Sequence, residues 1–509
     1  MHFLVIAAFA IVLSARTPAR SWWWFESTGM TYAVVAGQLA GIVLLAWLSS
    51  RWAIRRLERR PWSPDPAQRL FARADMVLHA LVLISLGVDV LLTPWTVVVR
   101  KQWRLENVAA LDDLVAVMPF FLGVILCWAV RFQADHAIRD LATRRARFYG
   151  APARPSWRLR EYLVFNVRHH LLLIVVPMTG ILLAYDLVDM YAERLYAWTR
   201  LDQAEPIAVM IIAGGMFLIS PFILRYVWGT SVLPHDGLRV RLENICNQIR
   251  LRYQQILIWR SDGVLVNASV MGLVPTFRYI LLSDGLLETM NEQQVEAVFG
   301  HEAGHVKHHH IQFYLLFAVV SMLVVAGMMV LVWQFLPYSF WQKWLDVSRD
   351  EWNNVADLIV MGMVLLFWLI GFGWVSRRFE RQADVFGVRC IGWNMDHCGT
   401  DCLVHHPPAG ELPDRKALCP AAADVFAGAL HRIAILNGIR PTARSWRHSS
   451  IASRMALVRL LARDRRQLRR FNRIIALTKL ILLAGTIAGA VIITQEYWPE
   501  DFVTYWFDR

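Results

Sequence analysis

The 509-residue chain is 56% hydrophobic, has a mean hydropathy of +0.38 and contains only 18% charged residues. These values exclude a water-facing globular protein and indicate that the lipid bilayer is the chain's main solvent. The formal net charge of +13 does not predict a nucleic-acid partner, because the basic residues cluster beside apolar runs, where anionic headgroups and membrane topology account for them.

Long apolar runs divide the chain into predicted membrane spans of about 20 residues each. Eight such runs lie near residues 31–49, 75–98, 114–130, 169–187, 206–228, 313–335, 355–375 and 474–494. The stretch from Phe3 to Ser14 is apolar but short and lacks the basic start of a secretory signal. It is therefore either a further span or a cleaved leader, and residues 1–228 are predicted to form an N-terminal membrane region of five or six spans.

Arginine clusters predict the orientation of these spans, because short loops rich in Lys and Arg stay in the cytoplasm. Two loops carry most of them: Arg51, Arg55, Arg56, Arg59, Arg60, Arg69 and Arg73, then Arg139, Arg144, Arg145, Arg147, Arg154, Arg158, Arg160 and Arg168. Alternation from there places residues 229–312 and 376–473 in the cytoplasm, on either side of a two-span hairpin at 313–375. A C-terminal span and an outer tail follow at 474–509. The preference for Arg over Lys indicates a multi-pass protein of a bacterial inner membrane.

The first cytoplasmic segment contains two predicted strands and the start of a helix. Residues 264–269 and 277–282 have strand patterns and flank a turn with Gly and Pro. Asn291, followed by Gln294 three residues later, is typical of the capping pair that begins a helix.

That helix contains His301, Glu302 and His305 in an H-E-x-x-H pattern, which places both imidazoles on one helix face a single turn apart. Two metal ligands would then face the same point. An exposed polar turn of helix is the alternative, since the pattern alone is only moderately specific.

A third ligand distinguishes the two interpretations, because catalytic zinc takes three protein ligands and keeps one position open for water. Glu380 fits this role, since the predicted two-span hairpin returns it to the side of the membrane where His301 and His305 lie. Asp384 lies one turn beyond Glu380 and could accept the free imidazole N–H of a ligating histidine. Alone, this pair would indicate ordinary helix-surface charge.

Five sequence segments together resemble the integral-membrane zinc metallopeptidases that include HtpX-like proteases and CAAX prenyl endopeptidases. They are Asn267-Ala268, residues 280–287, residues 297–305, Glu380 with Asp384, and residues 447–454, and they cover about 230–460. Ser449 stands where the family usually has Pro, so we expect a different turn there. On the sequence alone, a single His beside a basic helix is typical of a solvent-facing residue.

The resemblance implies further site residues. His448 would help to stabilise the oxyanion of the tetrahedral intermediate, and Arg454 would bind Asp384 or its neighbourhood. Asn267 and Ala268 would line the cleft and pair with an extended substrate at a strand edge. Glu302 would be the general base, because a carboxylate that adjoins the ligands without binding the metal can take and return a proton.

A loop rich in cysteine and histidine follows Glu380 and allows a second metal ion. Cys390, Cys398, Cys402 and Cys419 cluster there with His397, His405 and His406, whereas Cys127 and Cys246 lie elsewhere. A cytoplasmic position argues against stable disulfides. The alternatives are a second, structural zinc ion held by Cys390, Cys398, Cys402 and Cys419 and a redox-sensitive thiol set, although the gaps do not match the common C-x-x-C knuckles.

The predicted fold is mainly α: a polytopic membrane helical protein with a cytoplasm-facing, gluzincin-type metallopeptidase domain that contains a short β element. The predicted function is zinc-dependent endopeptidase cleavage of peptides or misfolded membrane proteins. The alternatives are a CAAX-type protease acting on prenylated tails, a protease that responds to a membrane signal, and a non-catalytic scaffold stabilised by zinc. The substrate and the oligomeric state have no indicator in the sequence.

Overall fold

The computed structural model describes most of the chain in detail. It leaves out residues 15–22, 60–64, 107, 149–156, 201–203, 262, 264, 336–362, 365, 396–397, 400–401, 408–411, 415, 438, 444–446 and 498–509. The predicted span at 355–375 lies largely outside the described residues, as does His397 of the Cys/His-rich loop.

The N-terminal region is helical throughout its described parts. Its helices are α1 (His2–Ser14), α2 (Thr28–Arg59), α3 (Asp65–Leu92), α4 (Trp95–Val97), α5 (Leu111–Ala116), α6 (Met118–Phe148), α7 (Leu159–Asn166), α8 (Leu172–Met190), α9 (Ala192–Thr199) and α10 (Ala204–Val227). Two π-helical turns, Val98–Gln102 and Val167–Leu171, join α4 to the next loop and α7 to α8. Helix α3 ends earlier than the predicted span 75–98, because Thr93 and Pro94 follow it and Pro cannot continue the ladder.

Six helical segments of the described chain are long and apolar enough to cross a bilayer. They are Thr28–Arg59, Arg69–Leu92, Met118–Leu141, Leu159–Met190, Ile207–Val227 and Arg465–Val491. They coincide with six of the eight predicted spans, which confirms a mainly helical, polytopic membrane fold. A seventh predicted span, at 313–335, lies in the apolar helix that follows the H-E-x-x-H helix.

The described residues of the C-terminal half form eight further helices. They are α11 (Gly237–Ile249), α12 (Asp284–Thr289), α13 (Glu292–Lys307), α14 (His310–Phe335), α15 (Gly373–Asn394), α16 (Pro420–Leu436), α17 (Ile451–Arg463) and α18 (Arg465–Tyr497). A π-helical turn, Trp368–Phe372, leads directly into α15. Helix α13 is the predicted H-E-x-x-H helix, and both side chains of the predicted Asn291–Gln294 capping box are in place.

A four-stranded sheet lies beside α13. Its strands are β1 (Ser231–Val232), β2 (Gln255–Trp259), β3 (Ala268–Met271) and β4 (Tyr279–Ser283), in the order β1-β2-β4-β3. Strands β3 and β4 are antiparallel, with Ala268 opposite Leu282, whereas β2 and β4 are parallel. The predicted pair at 264–269 and 277–282 therefore lies a few residues too early, because a 3₁₀ turn at Pro275–Phe277 occupies the start of the second segment.

One hydrophobic core joins the segments on either side of the predicted membrane hairpin. Ile245, Ile280 and Phe299 from the first segment pack with Ile391 and Phe426 from the second. Each is almost fully buried. This shared core brings α13 and α15 together even though two apolar stretches separate them in the chain.

Small residues let α13 and α15 approach closely. A Cβ atom added at Gly304 would lie 3.1 Å from the Cα of Ala383, and one at Gly387 would lie 3.1 Å from the carbonyl oxygen of Ala297. Bulkier side chains would separate the helices and, with them, the polar residues that the two helices carry.

Helix α13 ends in a turn that changes the direction of the chain. His309 adopts a left-handed conformation with φ of 57°, which histidine tolerates better than most residues. Helix α14 then leaves at 48° to α13. The polar face of α13 thereby stays with the sheet and α15, while α14 carries the apolar sequence.

Candidate active site

The two histidines of the H-E-x-x-H pattern face each other on α13. The Nε2 atoms of His301 and His305 lie 3.3 Å apart, and both side chains are largely buried. If both nitrogens lacked a proton, this separation would be unfavourable unless a cation lay between them. The alternative of an exposed polar turn does not fit this geometry.

Glu380 completes the group from α15. Its Oε2 lies 3.8 Å from His301 Nε2, and its Oε1 lies 3.7 Å from His305 Nε2. Zinc bonds of about 2.0–2.2 Å would place neighbouring atoms of a tetrahedron roughly 3.3–3.6 Å apart. Each histidine thus faces one oxygen of the Glu380 carboxylate, and the three side chains could hold a zinc ion after small shifts.

His301 is held from behind by a carboxylate and a guanidinium. Its Nδ1 lies 2.9 Å from Asp384 Oδ1, so the N–H at this position donates to Asp384 and leaves Nε2 available for a metal. Arg454 donates to both oxygens of Asp384, with 2.8 Å between Nε and Oδ2. Although burial opposes ionisation and would raise the pKa of Asp384, the charge and hydrogen bonds of Arg454 lower it.

His305 is held by a residue to which sequence reasoning gave no role in the site. Its Nδ1 lies 2.9 Å from Nδ1 of the fully buried His310, whose Nε2 lies 3.0 Å from Oε1 of Gln382. Because the amide oxygen of Gln382 only accepts, His310 carries its proton on Nε2 and accepts the N–H of His305. Burial lowers the pKa of His305 to about 4, which favours the neutral form that a metal ligand needs.

Glu380 is ionised in this setting. Burial by itself would raise its pKa, but the hydrogen bond from His448 and the positive charge of Arg454 hold the pKa well below its usual range. A carboxylate that stays ionised is the form that binds a divalent cation.

Glu302 lies beside the metal-ligand group without belonging to it. Burial raises the pKa of its carboxyl to about 7, and the backbone N–H of Val270 on β3 hydrogen-bonds its carboxylate. A bound divalent cation would add positive charge and favour the ionised form. A carboxyl whose pKa lies close to neutrality suits proton transfer in both directions.

Strand β3 is the edge strand of the described sheet and lies against this carboxylate. Asn267, just before it, uses its backbone N–H and C=O on the inner side, toward Ser283. Backbone groups alternate along a strand, so those of Ala268 and Val270 point outward. Asn267 is exposed and Ala268 is buried. Of these two predicted substrate-binding residues, Ala268 has its backbone directed as edge pairing requires, and Asn267 does not.

His448 reaches the same cluster from the loop before α17. Its Nδ1 lies 3.0 Å from Glu380 Oε2, and its side chain is 46% exposed. It is thus neither remote nor fully solvent-facing. In this geometry it hydrogen-bonds the third ligand, and the role at the oxyanion stays a prediction.

A second group of possible metal ligands lies in the Cys/His-rich loop, and its membership corrects the sequence prediction. The ligand atoms of Cys398, Cys402, His405 and Cys419 lie within 4.8 Å of one another. Cys390 does not belong, because it lies on α15 and packs against the backbone of α13 near Gly300. Histidine at position 405 takes the place that the prediction gave to Cys390.

Comparisons with known proteins identify relatives of the region that carries this group of residues. Residues 237–397 match the pattern of peptidase family M48. A protease HtpX homolog from Archaeoglobus fulgidus is 25% identical over 219 residues, which make up 42% of this chain and 60% of that protein. A protease HtpX homolog from Methanocaldococcus jannaschii is 31% identical over 223 residues, or 40% of this chain and 73% of that protein.

A CAAX prenyl protease 1 homolog from Arabidopsis thaliana is 25% identical over 192 residues, or 35% of this chain and 41% of that protein. The chain therefore spans less than two thirds of the Archaeoglobus and Arabidopsis proteins. The resemblance that the sequence motifs indicated is confirmed by both kinds of relative. The chain belongs to peptidase family M48, a family of zinc metallopeptidases.

Proposed function

We propose that this protein is a zinc-dependent membrane endopeptidase that hydrolyses peptide bonds with Glu302 as the general base. The observation that carries the proposal is the position of Glu302, between the ligand group formed by His301, His305 and Glu380 and the edge strand β3. A zinc site that served only to stabilise the fold would not need a carboxylate between its ligands and a strand edge.

Hydrogen bonds keep both histidine ligands in the protonation state that zinc requires. His301 donates its Nδ1 proton to Asp384, and His305 donates its Nδ1 proton to His310. Both Nε2 atoms are thereby left with a lone pair directed at one point. When bound, zinc acts as a Lewis acid that lowers the pKa of a water molecule to about 7 and polarises the substrate carbonyl.

The chain's own residues then move the proton and position the substrate. Glu302 accepts a proton from the attacking water and later transfers it to the nitrogen of the leaving amine. The outward backbone groups of β3 at Ala268 and Val270 would pair with an extended peptide. His448, beside Glu380, would lie within reach of the carbonyl oxygen of the substrate and stabilise its developing negative charge.

The proposed substrates are peptides or misfolded membrane proteins. Two HtpX homologs among the relatives and the Arg-rich composition support this assignment. Cleavage of prenylated tails is the second candidate, supported by the CAAX prenyl protease 1 homolog. The arginine clusters beside the predicted spans support a bacterial inner-membrane location with the site facing the cytoplasm.

Paired measurements of zinc content and cleavage test this proposal. Wild type and Glu302→Gln are purified, their zinc is quantified, and each is incubated with an unfolded membrane protein and with a prenylated peptide. Glu292→Gln, an exposed change on the first turn of the same helix, is the matched control. We expect both variants to keep zinc, and Glu302→Gln alone to lose activity by about 10²–10⁴-fold.

The outcomes separate the rival functions. Equal cleavage by Glu302→Gln and wild type would exclude Glu302 as the base. Zinc without cleavage of either substrate by the wild type would favour the non-catalytic scaffold. A wild type that binds no zinc would refute the ligand assignment. Preference between the two substrates decides between general membrane proteolysis and action on prenylated tails.

A further inference from the structure

Four buried or half-buried side chains converge between the end of α15 and the start of α16. Cys398, Cys402 and Cys419 are each at most 7% exposed, and His405 is half-buried beside them. None of the chain's six cysteines forms a disulfide. The Sγ atoms of Cys398 and Cys402 lie 3.2 Å apart, well beyond the S–S bond length of about 2.05 Å.

The orientation of His405 points to a cation in this cluster. Its Nε2 lies 2.8 Å from the carbonyl oxygen of Gly392 and 3.0 Å from that of Met395. Carbonyl oxygens only accept, so Nε2 carries the proton and Nδ1 has the lone pair. That lone pair faces Cys402 Sγ at 3.2 Å. Fixing one ring nitrogen through a backbone carbonyl so that the other can bind is the usual second contact of a metal-ligating histidine.

Backbone groups beside two of the sulfur atoms would stabilise thiolates once a metal ion binds. The backbone N–H of His405 donates to Cys402 Sγ at 3.3 Å, and Cys419 is the N-cap residue of the 17-residue helix α16. The partial positive charge at a helix N-terminus stabilises an anion there. Zinc–sulfur bonds of about 2.3 Å place the sulfurs of a tetrahedron roughly 3.8 Å apart. The Cys398–Cys402 pair would therefore separate slightly from 3.2 Å, and no separation in the cluster, at most 4.8 Å, would shorten by more than about 1 Å.

We infer that Cys398, Cys402, His405 and Cys419 bind a structural zinc ion, separate from the proposed catalytic zinc. The ligands follow one another as C-x₃-C-x₂-H-x₁₃-C. Three thiolates and one imidazole fill all four positions of tetrahedral zinc and leave no open position for water, which is the property of a structural site. Binding releases the thiol protons to solvent.

The site would fix one end of the helix that carries the third catalytic ligand. The imidazole of His405 hydrogen-bonds the carbonyl of Gly392, in the last turn of α15. Asp384 lies eight residues earlier on the same helix. Eight residues span about 12 Å of α-helix. Zinc binding would therefore clamp the end of α15 to the start of α16 and stabilise the packing that holds Glu380 and Asp384 in place.

Metal stoichiometry of the full-length protein in detergent tests this inference. We expect two zinc ions per wild-type chain and one each in His301→Ala and Cys402→Ser. His406→Ala is the matched control for His405→Ala, because the imidazole of the neighbouring His406 hydrogen-bonds the carbonyl of Cys398 and does not belong to the ligand group. His406→Ala should keep two ions and His405→Ala should keep one.

Cobalt substitution distinguishes the two sites without reference to activity. Only the Cys/His site supplies thiolates, so it alone should give a thiolate-to-cobalt charge-transfer band. That band should survive His301→Ala and vanish in Cys402→Ser. Cys246 is a buried cysteine far from the cluster in sequence. Cys246→Ala is therefore the control for removing a thiol outside the cluster, and the band should survive it.

Measurements on the wild type keep the inference falsifiable if a variant fails to fold. One zinc ion per wild-type chain, together with rapid alkylation of the loop thiols in the folded protein, would overturn it. So would a Cys398–Cys402 disulfide found by mass spectrometry, which would instead support a redox-sensitive pair. Because His301→Ala removes only the other ion, failure of this inference is distinguishable from failure of the proposed function.

Discussion

The contact between His305 and His310 predicts how strongly a residue outside the ligand group controls zinc affinity. His310→Phe keeps the ring, which stacks on Phe379 with centroids 4.5 Å apart, but removes the acceptor of the His305 Nδ1–H. A buried donor left without a partner costs about 1–3 kcal/mol. At about 1.4 kcal/mol per decade, zinc should bind roughly 5–150-fold more weakly.

Competition with a chromophoric chelator measures this effect on the purified protein. His308→Phe is the matched control, since His308 lies two residues away and outside the ligand group. His310→Gln, which keeps an acceptor, should recover part of the affinity. Saturating zinc should restore most of the cleavage by His310→Phe, because the residue orients a ligand and does not touch the substrate. Wild-type zinc affinity in His310→Phe, or equal weakening in His308→Phe, would refute the reasoning.

Two further substitutions and one control test the packing around the site. Arg454→Met leaves the Asp384 carboxylate buried without its bidentate partner, so stability should fall by about 3–5 kcal/mol, read as a lower midpoint of thermal unfolding. Gly387→Ala places a Cβ 2.5 Å from the ring of Phe426 and should destabilise by about 1–3 kcal/mol. Gly428→Ala, where an added Cβ would meet no atom within 4 Å, should instead stabilise helix α16 by about 0.5–1 kcal/mol. If Gly428→Ala lowered the midpoint of thermal unfolding more than Gly387→Ala, the proposed close approach of the helices would be contradicted.

The local features of the site follow from spacing along the chain. His301, Glu302 and His305 lie within five residues, and Asn291 with Gln294 begins their helix, so a single helix fixes their relative positions. The six apolar spans follow in the same way from composition, since a helix satisfies its backbone within its own segment. Such features depend on neighbours within a turn or two, which the sequence contains explicitly.

The strands were harder to place because their limits depend on contacts distant in the chain. Strand β2 pairs in parallel with β4 more than twenty residues away, and the 3₁₀ turn at Pro275–Phe277 shifts the start of β4. An apolar run such as residues 255–259 indicates a buried strand only when its partner is known.

Tertiary structure alone decided which polar residues meet. His310 contacts His305 because α14 turns away after the left-handed His309, and Gln382 reaches it only because small residues let α15 pack closely on α13. Likewise, Cys390 turns into the core, and His405 replaces it among the loop ligands. The sequence by itself determined the membrane helices, the H-E-x-x-H face and the candidates for the third ligand. Their assembly into one site required the packing of α13 on α15. Contacts between distant segments depend on the shapes and volumes of the packed side chains, which the spacing of residues along the chain does not specify.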